Sequence, residues 1–570
     1  MGARTERSPR ARRAAYAIGI DFGTESGRVL LLDLGTGAEA GVAVVRYARG
    51  VIDRRLPESD EELPSDWALQ DPDDWRAVIE TGIPEVLAVS GVAGRDVVGI
   101  GIDFTCCTVL PVTGDGTPLS SLAPWRARPH AWPKLWKHHA AQPVADRLNE
   151  VARERDEPFL ARYGGKVSSE WYYPKLIELW LEDREVYDAA YGFVEACDWI
   201  AWQLTGQERR AACSAGYKAF WSPSDGLPSS EFFAAAYPGF DDPAAKLGAQ
   251  FFPPGVRAGT LRPELAERVG LDASVAVAVG NVDSFVSVPG AGVLDPMSFL
   301  IVIGTSICDV VVDPREILLP GITGVVKDGV LPGFYGYEAG QAAVGDMLAW
   351  FVGLLGATDR AERYVELERD AAELRPGASG LLALDWWNGN RTILADADLS
   401  GVLCGLTLQT TASEIYRALL ESIGFGNRRI VDNFEEHGIE LKRFVACGGI
   451  AERSPLTMQL LADTSGRQVA VPGSTEIPAR GAALFGAVAA GAEAGGFADI
   501  MDAINALSPA IGATYEPDPA AVAVYEQLYP LYGRLHDTLG RQPAELLHEL
   551  KRIRESSAPR GARQAETVAI

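Results

Sequence analysis

The feature that most constrains the fold is a strand–acid–turn–strand segment near the start of the chain. Residues 16–22 are apolar apart from Asp21, and a turn at Gly23 and Thr24 leads into a second apolar run, 29–32. No helix follows the turn and the motif Gly-x-x-x-x-Gly-Lys-Ser/Thr is absent, so this is not a P-loop. The backbone N–H groups of such a turn can approach a phosphate closely, and Asp21 offers the oxygen ligands that a hydrated Mg²⁺ prefers. An ordinary hairpin with a glycine turn is the alternative interpretation.

A similar segment recurs in the second half of the chain. The apolar run 299–303 leads into Gly304 and Thr305. Two turns of this kind predict two related halves, each offering a phosphate-binding loop to one shared nucleotide. This pairing resembles the fold shared by sugar kinases, actin and the heat-shock ATPases. A third run, 97–105, has the same form as the opening strand, so the tripeptide Ile-Asp-Phe is by itself a weak signal.

The resemblance implies an α/β protein with the two-domain, actin-like ATPase (ribonuclease H-like) fold, in which mixed sheets are flanked by helices and the active site lies in the interdomain cleft. A chain of 570 residues is long enough for two such domains. We predict an N-terminal domain over 16–292, with the sugar site, the first phosphate loop and the catalytic acid. A C-terminal, nucleotide-binding domain is expected over 297–552. The glycines at 290–292 predict a hinge, and 1–15 and 553–570 are expected to be disordered tails.

Charge and composition exclude several function classes. The net charge of −25 disfavours binding to nucleic acid or to an anionic membrane, and no apolar run approaches the ~20 residues of a membrane span. The seven cysteines are dispersed without a Cys-x-x-Cys pair, which is typical of a reduced cytoplasm. The Arg-rich start of the chain lacks the apolar segment of a secretory signal. We expect a cytoplasmic protein that acts on small molecules, with a homodimer as a candidate assembly.

Two further turns supply the other groups that phosphoryl transfer needs. Asp283 follows the short strand 275–279 and is the best-placed base for a hydroxyl that attacks a γ-phosphate. Gly448 and Gly449 precede a helix and would let a flat adenine approach the backbone. Taken singly, Asp283 is more typical of a helix N-cap and the glycine pair of an ordinary turn. The order of these motifs together with the two Gly-Thr turns favours the kinase interpretation.

A segment rich in Trp, Arg and His, 124–139, contains groups suited to a sugar cleft, because sugars present both hydroxyls and apolar C–H faces. The adjacent His138 and His139 lack the spacing of a helical zinc pair, so surface or helix-packing roles are expected. Further along, the sequence predicts a helix that begins at Phe193 and ends at Gly206, and then a loop that carries Lys218.

Several motifs resemble those of the FGGY family of carbohydrate kinases, over about 16–552. The segments that carry the resemblance are the first phosphate motif Ile20–Thr24 with Arg28, the carboxy-terminal signature at 401–406 and 414–421, and the adenosine motif Gly448–Ser454. The amino-terminal signature departs, since aligning Trp180 leaves Ile177 where the family has Lys. This departure disfavours glycerol and xylulose kinases. Ser-Ser-Glu-Trp, Glu-Ala-Cys-Asp-Trp and Asp-Phe-Thr-x-Cys-Thr are similar to the branch that phosphorylates L-ribulose.

The resemblance implies an activity and a site. The expected reaction is ATP-dependent phosphorylation of a ketopentose, L-ribulose to L-ribulose 5-phosphate in L-arabinose catabolism, with ATP and Mg²⁺. Asp283 is expected to be catalytic and to hold the sugar with Cys106, Lys218 and Glu338 through charge-assisted hydrogen bonds. The residues expected at the nucleotide are Gly23, Thr24, Arg28, Gly304, Thr305, Gly345, Gly448 and Gly449, and Asp21 is expected to hold Mg²⁺ through water.

Three alternatives stay open at this point. A kinase of another sugar or polyol, such as ribitol, D-ribulose or xylulose, would share these motifs. A non-sugar ATPase of the actin or heat-shock type would not need the aromatic insertion 124–173. A catalytically inactive sugar-binding regulator would be expected to lack Asp21 or Asp283, and both are present.

Overall fold

The computed structural model of the protein describes residues 14–57, 62–64, 66–356, 359–541 and 545–557. In chain order its strands are β1 (Tyr16–Phe22), β2 (Ser26–Asp33), β3 (Glu39–Arg46), β4 (Val97–Phe104), β5 (Val109–Val112), β6 (Gly192–Glu195), β7 (Arg210–Ala211), β8 (Phe251–Phe252), β9 (Arg257–Thr260), β10 (Ala276–Ala278), β11 (Asn281–Val282), β12 (Ser298–Ile303), β13 (Ile307–Asp313), β14 (Gly324–Lys327), β15 (Tyr335–Gln341), β16 (Leu382–Leu384), β17 (Val402–Cys404), β18 (Arg443–Cys447), β19 (Val469–Pro472) and β20 (Ile511–Tyr515). Its α-helices are α1 (Pro72–Ala77), α2 (Ile83–Ser90), α3 (Gln142–Glu154), α4 (Tyr172–Glu182), α5 (Arg184–Ala189), α6 (Ala196–Thr205), α7 (Ala212–Lys218), α8 (Ser230–Ala236), α9 (Pro263–Val269), α10 (Asp283–Gly290), α11 (Gly345–Leu354), α12 (Arg360–Ala372), α13 (Ala412–Glu436), α14 (Gly449–Arg453), α15 (Pro455–Ser465), α16 (Ile477–Ala490), α17 (Ile500–Leu507), α18 (Pro519–Gly540) and α19 (Glu545–Ser557).

Two mixed sheets of matching topology form the centre of the protein. The first has the strand order β3-β2-β1-β4-β10-β9, with β11 paired to β4, and the second has the order β14-β15-β13-β12-β18-β19-β20. In both sheets an antiparallel hairpin continues into three parallel strands, and an antiparallel edge strand closes the row. The parallel strands are β1, β4 and β10 in the first sheet and β12, β18 and β19 in the second. This is the duplication that the two Gly-Thr turns predict.

Each Gly-Thr turn joins the first two strands of its half. The Gly23 N–H donates to the Ser26 carbonyl at 3.0 Å, and the Gly304 N–H donates to the Ser306 carbonyl at 2.9 Å. The two turns therefore occupy equivalent places at the ends of β1 and β12.

The run that repeats the opening strand pairs with it in register. β1 and β4 lie parallel, and each residue of Gly19–Phe22 is opposite the identical residue of Gly101–Phe104. The rings of Phe22 and Phe104 stack with their centroids 5.2 Å apart. Two copies of one tetrapeptide, Gly-Ile-Asp-Phe, thus lie side by side at the end of the first sheet.

A helix from the second half of the chain covers the first sheet. α16 packs against β1 and β4 so closely that a Cβ on Gly101 would lie 1.8 Å from the Ala482 carbonyl oxygen. α16 also crosses α10, where a Cβ on Gly481 would lie 1.8 Å from the Val286 carbonyl oxygen. Glycine is needed at these positions for the backbones to approach. This crossed pair of helices ties the two halves together.

Three large apolar cores fill the space around the sheets, and a small fourth core surrounds Trp67 and Trp132. The first surrounds β1, β4 and α16, the second surrounds β12, α13 and α15, and the third lies in the insertion that follows β5. Members that typify them are Ile18, Phe285 and Leu484 in the first core, Phe299, Met347 and Phe425 in the second, and Phe159, Tyr173 and Phe220 in the third. No helix within the described ranges combines the length and the apolar character that a membrane span requires.

Two local predictions are wrong. Phe193, expected in a helix, lies in β6 because it pairs with β5; the helix begins only at Ala196, and Gly206 ends it with φ +72° as predicted. Lys218, expected in a loop, is the last residue of α7. The small residues of α7 allow a buried helix against β14, where a Cβ on Gly216 would lie 2.2 Å from a methyl group of Val326.

The predicted tails fall largely outside the described residues. α19 continues to Ser557, so residues 553–557 of the expected C-terminal tail are helical. Residues 1–13 and 558–570 lie outside the described ranges.

Candidate active site

The first Gly-Thr turn is held by side chains from outside the hairpin. The Thr24 hydroxyl accepts a hydrogen bond from Trp136 Nε1 at 3.1 Å, and the Thr24 carbonyl accepts one from Gln70 Nε2 at 2.8 Å. On β2, Arg28 lies 3.6 Å from the Asp21 carboxylate and 3.4 Å from that of Glu476. The turn is therefore preorganised, and Arg28 is the cation beside Asp21.

Asp283 is the first residue of α10, at the end of β11. Val282, not Asp283, is the N-cap residue, so the N-cap interpretation does not account for this acid. The Asp283 carboxylate accepts the Ser284 N–H at 2.6 Å. Burial, and then the negative charge of Asp21, raise the pKa of Asp283 to about 7, while Lys218 opposes the shift. A carboxylate with that pKa is suited to general-base work near neutral pH.

Lys218 and Glu338 form a buried ion pair between the two halves. Lys218 Nζ lies 2.7 Å from Glu338 Oε2, and their side chains are 5% and 10% exposed. Lys218 comes from α7, whereas Glu338 comes from β15 of the second sheet. Cys106 lies near Lys218, and burial followed by its contact with Cys107 raises the pKa of its thiol well above the usual range. The four residues expected at the sugar, including Asp283, thus fall in one electrostatically coupled region.

Three of the glycines expected at the nucleotide, Gly304, Gly345 and Gly448, lie at or beside the second Gly-Thr turn. The Gly345 N–H donates to the Gly304 carbonyl at 3.1 Å, and the Val344 N–H donates to the Thr305 carbonyl at 2.9 Å. Gly448 has φ +95°, and a Cβ there would lie 2.7 Å from the Ile303 carbonyl oxygen. Both the backbone conformation and the close packing require glycine at this position.

Beyond Gly448, Gly449 begins the short helix α14. Burial raises the pKa of Glu452 on this helix, while Arg453 and Arg28 oppose the shift. Arg28 belongs to the first hairpin, so its charge acts on an acid of α14 across the two halves.

The aromatic segment 124–139 contributes less to the cleft than its composition indicates. Trp132 is buried in a small core with Trp67, and Arg128 donates two hydrogen bonds to Asp183, at 2.9 and 2.6 Å. These roles are structural, because packing and ion pairing already satisfy both side chains. Only Trp136 of these three reaches a Gly-Thr turn.

The two histidines of this segment have different environments. His138 is buried, its Nε2 is 3.0 Å from Glu178, and burial lowers its pKa to about 3. Glu178 also pairs with the buried Lys134. His139 is exposed, with Nδ1 3.8 Å from Glu170. His138 is thus a packing and hydrogen-bonding residue inside the insertion, and His139 lies at the surface. Among the described residues, a ring nitrogen of each histidine faces a glutamate.

Sequence reasoning missed two charged residues of this region. Lys137 opposes the burial-driven rise in the pKa of Glu25, beside the first turn, and of Asp346, beside the second. Its charge therefore acts on an acid beside each of the two turns. The sequence presents Asp103 as part of a repeated tripeptide and as a candidate base should Asp283 not be the acceptor, but it does not predict its position, fully buried opposite Asp21. The sequence signal for this position was that Asp103, like Asp21, ends an apolar strand with the same residues before it.

Comparisons with known proteins show the family of the chain. Residues 16–290 match the N-terminal domain, and residues 299–490 the C-terminal domain, of the FGGY family of carbohydrate kinases. The chain is 48% identical to a ribulokinase of Halalkalibacterium halodurans, covering 95% of this chain and 97% of that protein. It is also 48% identical to a ribulokinase of Anoxybacillus flavithermus, with 95% and 98% covered.

Solved structures share the fold. A xylulose kinase from Rhodospirillum rubrum matches with a TM-score of 0.74 at 24% identity, covering 92% of this chain and 99% of that one. The α/β, actin-like fold and the kinase class predicted from the sequence are confirmed by these matches. The protein belongs to the FGGY family of carbohydrate kinases.

Proposed function

We propose that this carbohydrate kinase transfers the γ-phosphoryl group of ATP to the terminal hydroxyl of L-ribulose, giving L-ribulose 5-phosphate in L-arabinose catabolism. The observation that carries the proposal is the 48% identity, over nearly the whole of both chains, to proteins named ribulokinase. The site geometry supports it, since a buried acid with a pKa of about 7 lies in the same region as a buried Lys–Glu pair.

The residues of the site divide the work of the reaction. Asp283 accepts the proton of the attacking hydroxyl, so that the oxygen becomes a better nucleophile as the new O–P bond forms. Lys218 and Glu338 hold the sugar hydroxyls by charge-assisted hydrogen bonds, with Cys106 beside them. The two Gly-Thr turns hold the phosphates through backbone N–H groups, and Gly345, Gly448 and Gly449 leave room for the nucleoside. Phosphoryl transfer needs this positioning more than covalent chemistry.

Asp21 fits a site for Mg²⁺. Its side chain is 10% exposed, lies at the end of β1 beside the first turn, and has Arg28 at 3.6 Å as a partial partner. Burial raises its pKa despite that partner, so the carboxylate gains from a nearby cation. When bound, Mg²⁺ would neutralise the phosphate oxygens during transfer. We propose that Asp21 holds it through water, as this ion keeps several of its water ligands.

A coupled assay of ADP formation tests the proposed function. L-ribulose is compared with D-ribulose, L- and D-xylulose and ribitol, each with Mg·ATP, and Asp283→Asn serves as the inactive control. We expect ADP formation to depend on the sugar and kcat/KM to be highest for L-ribulose. ADP formation that is equal with and without every sugar would contradict kinase activity, and a preference for another sugar would reassign the substrate.

The organisation of the protein is part of the same proposal. We propose that residues 16–292 and 297–552 act as two domains about a hinge at 290–292, and that the enzyme works in the cytoplasm. All seven cysteines are free thiols, which supports a reducing compartment. A homodimer is the proposed assembly, and light scattering of the purified protein would decide it.

A further inference from the structure

Asp103 is a buried acid for which the proposed reaction has no use. Its exposed fraction is 0%, and it lies opposite Asp21 in the register of β1 and β4. The two residues lie opposite each other on neighbouring strands, and neither side-chain oxygen of Asp103 has a hydrogen-bond partner among the described residues. A buried carboxyl group without a hydrogen-bond donor or a cation beside it is destabilising. Asp103 is therefore available to a partner from outside the protein chain.

The two acids point to the same side of the sheet. Adjacent strands lie about 4.8 Å apart, and side chains alternate between the two faces. Gly19 and Gly101, two residues earlier, both face α16, so Asp21 and Asp103 lie on that face too, at the strand ends. α16 runs antiparallel to β4, because Ala482 contacts Gly101 and the later Gly486 contacts the earlier Gly99. The helix thus begins near the paired acids.

Charge at this place is unbalanced. Asp283 adds a third negative group, and its charge acts on Asp103. Arg28 is the cation that acts on both Asp21 and Asp103, and it is shared with Glu476. The described residues contain no group of three or more His, Cys, Asp or Glu side chains placed to hold a metal. A larger group is not needed for Mg²⁺, which typically takes one or two carboxylates and completes its shell with water and phosphate oxygens.

We propose that Asp103 is a second carboxylate of the Mg²⁺ site, so that Asp21 and Asp103 together hold the hydrated ion beside the first phosphate turn. This inference rests on the proposed function, because the kinase reaction supplies the metal–nucleotide complex. Each residue type of the repeated Gly-Ile-Asp-Phe tetrapeptide then has the same role in both copies. The glycines allow α16 to pack closely, the phenylalanine rings stack on each other, and the aspartates hold the cation.

Binding of Mn²⁺, a paramagnetic substitute for Mg²⁺, tests the proposal without turnover. Free Mn²⁺ is titrated by electron paramagnetic resonance with the full-length protein in the presence of ADP. We expect Asp103→Asn and Asp21→Asn each to weaken Mn²⁺ binding about 10- to 100-fold. Asp309→Asn is the matched control. Asp309 is equally buried, in β13, but it accepts a hydrogen bond from Asn427 at 3.1 Å, so its replacement should leave Mn²⁺ binding unchanged.

A second readout separates metal binding from a purely structural role. Mg²⁺ alone should raise the melting temperature of the wild type, and by less in Asp103→Asn. If Asp103→Asn bound Mn²⁺ as the wild type does, Asp103 would only share a proton with Asp21 and the proposal would be overturned. Should that variant not fold, Asp103→Ser provides the same comparison with a smaller polar group. Failure of the proposed function looks different: the wild type would show no sugar-dependent ADP formation, whatever its Mn²⁺ affinity.

Discussion

At the scale of single residues, Asp283 has the environment that its proposed role requires. Asp283→Asn keeps the size of the side chain and removes the proton acceptor. Because a general base contributes about 10²–10⁴-fold, turnover should fall by that factor while the KM for ATP stays near the wild-type value. Steady-state kinetics with both substrates varied will measure this. Near-normal turnover would mean that another carboxylate is the base.

The pKa of Asp283 also predicts a pH profile. Burial and the charge of Asp21 raise this pKa to about 7. A base works only when deprotonated, so kcat/KM for the sugar should be level above that pH and fall about tenfold per pH unit well below it. A cation at Asp21 would cancel part of the repulsion, so saturating Mg·ATP should move the midpoint to lower pH. A profile that Asp283→Asn leaves unaltered would assign the titration to another group.

The ion pair of Lys218 and Glu338 should contribute to both stability and sugar binding. Its members are buried, so Lys218→Met leaves Glu338 as an uncompensated charge and should lower the free energy of unfolding by about 3–5 kcal/mol. Lys218→Met combined with Glu338→Leu should recover much of that loss, because no charge is left unpaired. The affinity for the sugar, measured by titration calorimetry, should be lost in the single variant and should not recover in the double variant. Recovery of affinity along with stability would show that the pair does not contact the sugar.

At the scale of elements, the close crossing of α10 and α16 depends on glycine. A Cβ on Gly481 would lie 1.8 Å from the Val286 carbonyl oxygen, so Gly481→Ala must displace a backbone. We expect the free energy of unfolding, measured by urea denaturation, to fall by about 1–3 kcal/mol. Gly533→Ala on α18 is the control, since among the described residues no atom beyond its own helix turn lies within 4 Å of the added Cβ, and alanine favours helix by up to about 1 kcal/mol. Equal effects at both sites would contradict the tight crossing.

At the scale of the whole molecule, catalysis requires the two halves to converge on one phosphate chain. The turns at Gly23 and Gly304 belong to different sheets, and water must be kept from competing with the sugar hydroxyl. Small-angle scattering should therefore show a smaller radius of gyration with L-ribulose and a non-hydrolysable ATP analogue together than with either alone. The glycines at 290–292 are the expected hinge. An unchanged radius with both ligands bound would argue against closure.

The sequence by itself determined the duplicated hairpins, the kinase family and most of the candidate site. Local chemistry suffices for these features because the strand and Gly-Thr turn of Asp21 and Gly23 recur at Gly304, and the repetition carries what neither segment shows alone. Lys218 was found as a residue but placed in the wrong element, because a run of small residues shows no helical periodicity until β14 buries one face of it.

The tertiary structure alone decided which distant residues meet. The pairing of Lys218 with Glu338, and that of Asp103 with Asp21, depend on strand order and register, which chain position does not reveal. The assignment of α16, from the second half, to cover the first sheet depends on backbone packing at glycines such as Gly101. Burial then shifts the pKa values, because desolvation exists only once the chain has folded around the group.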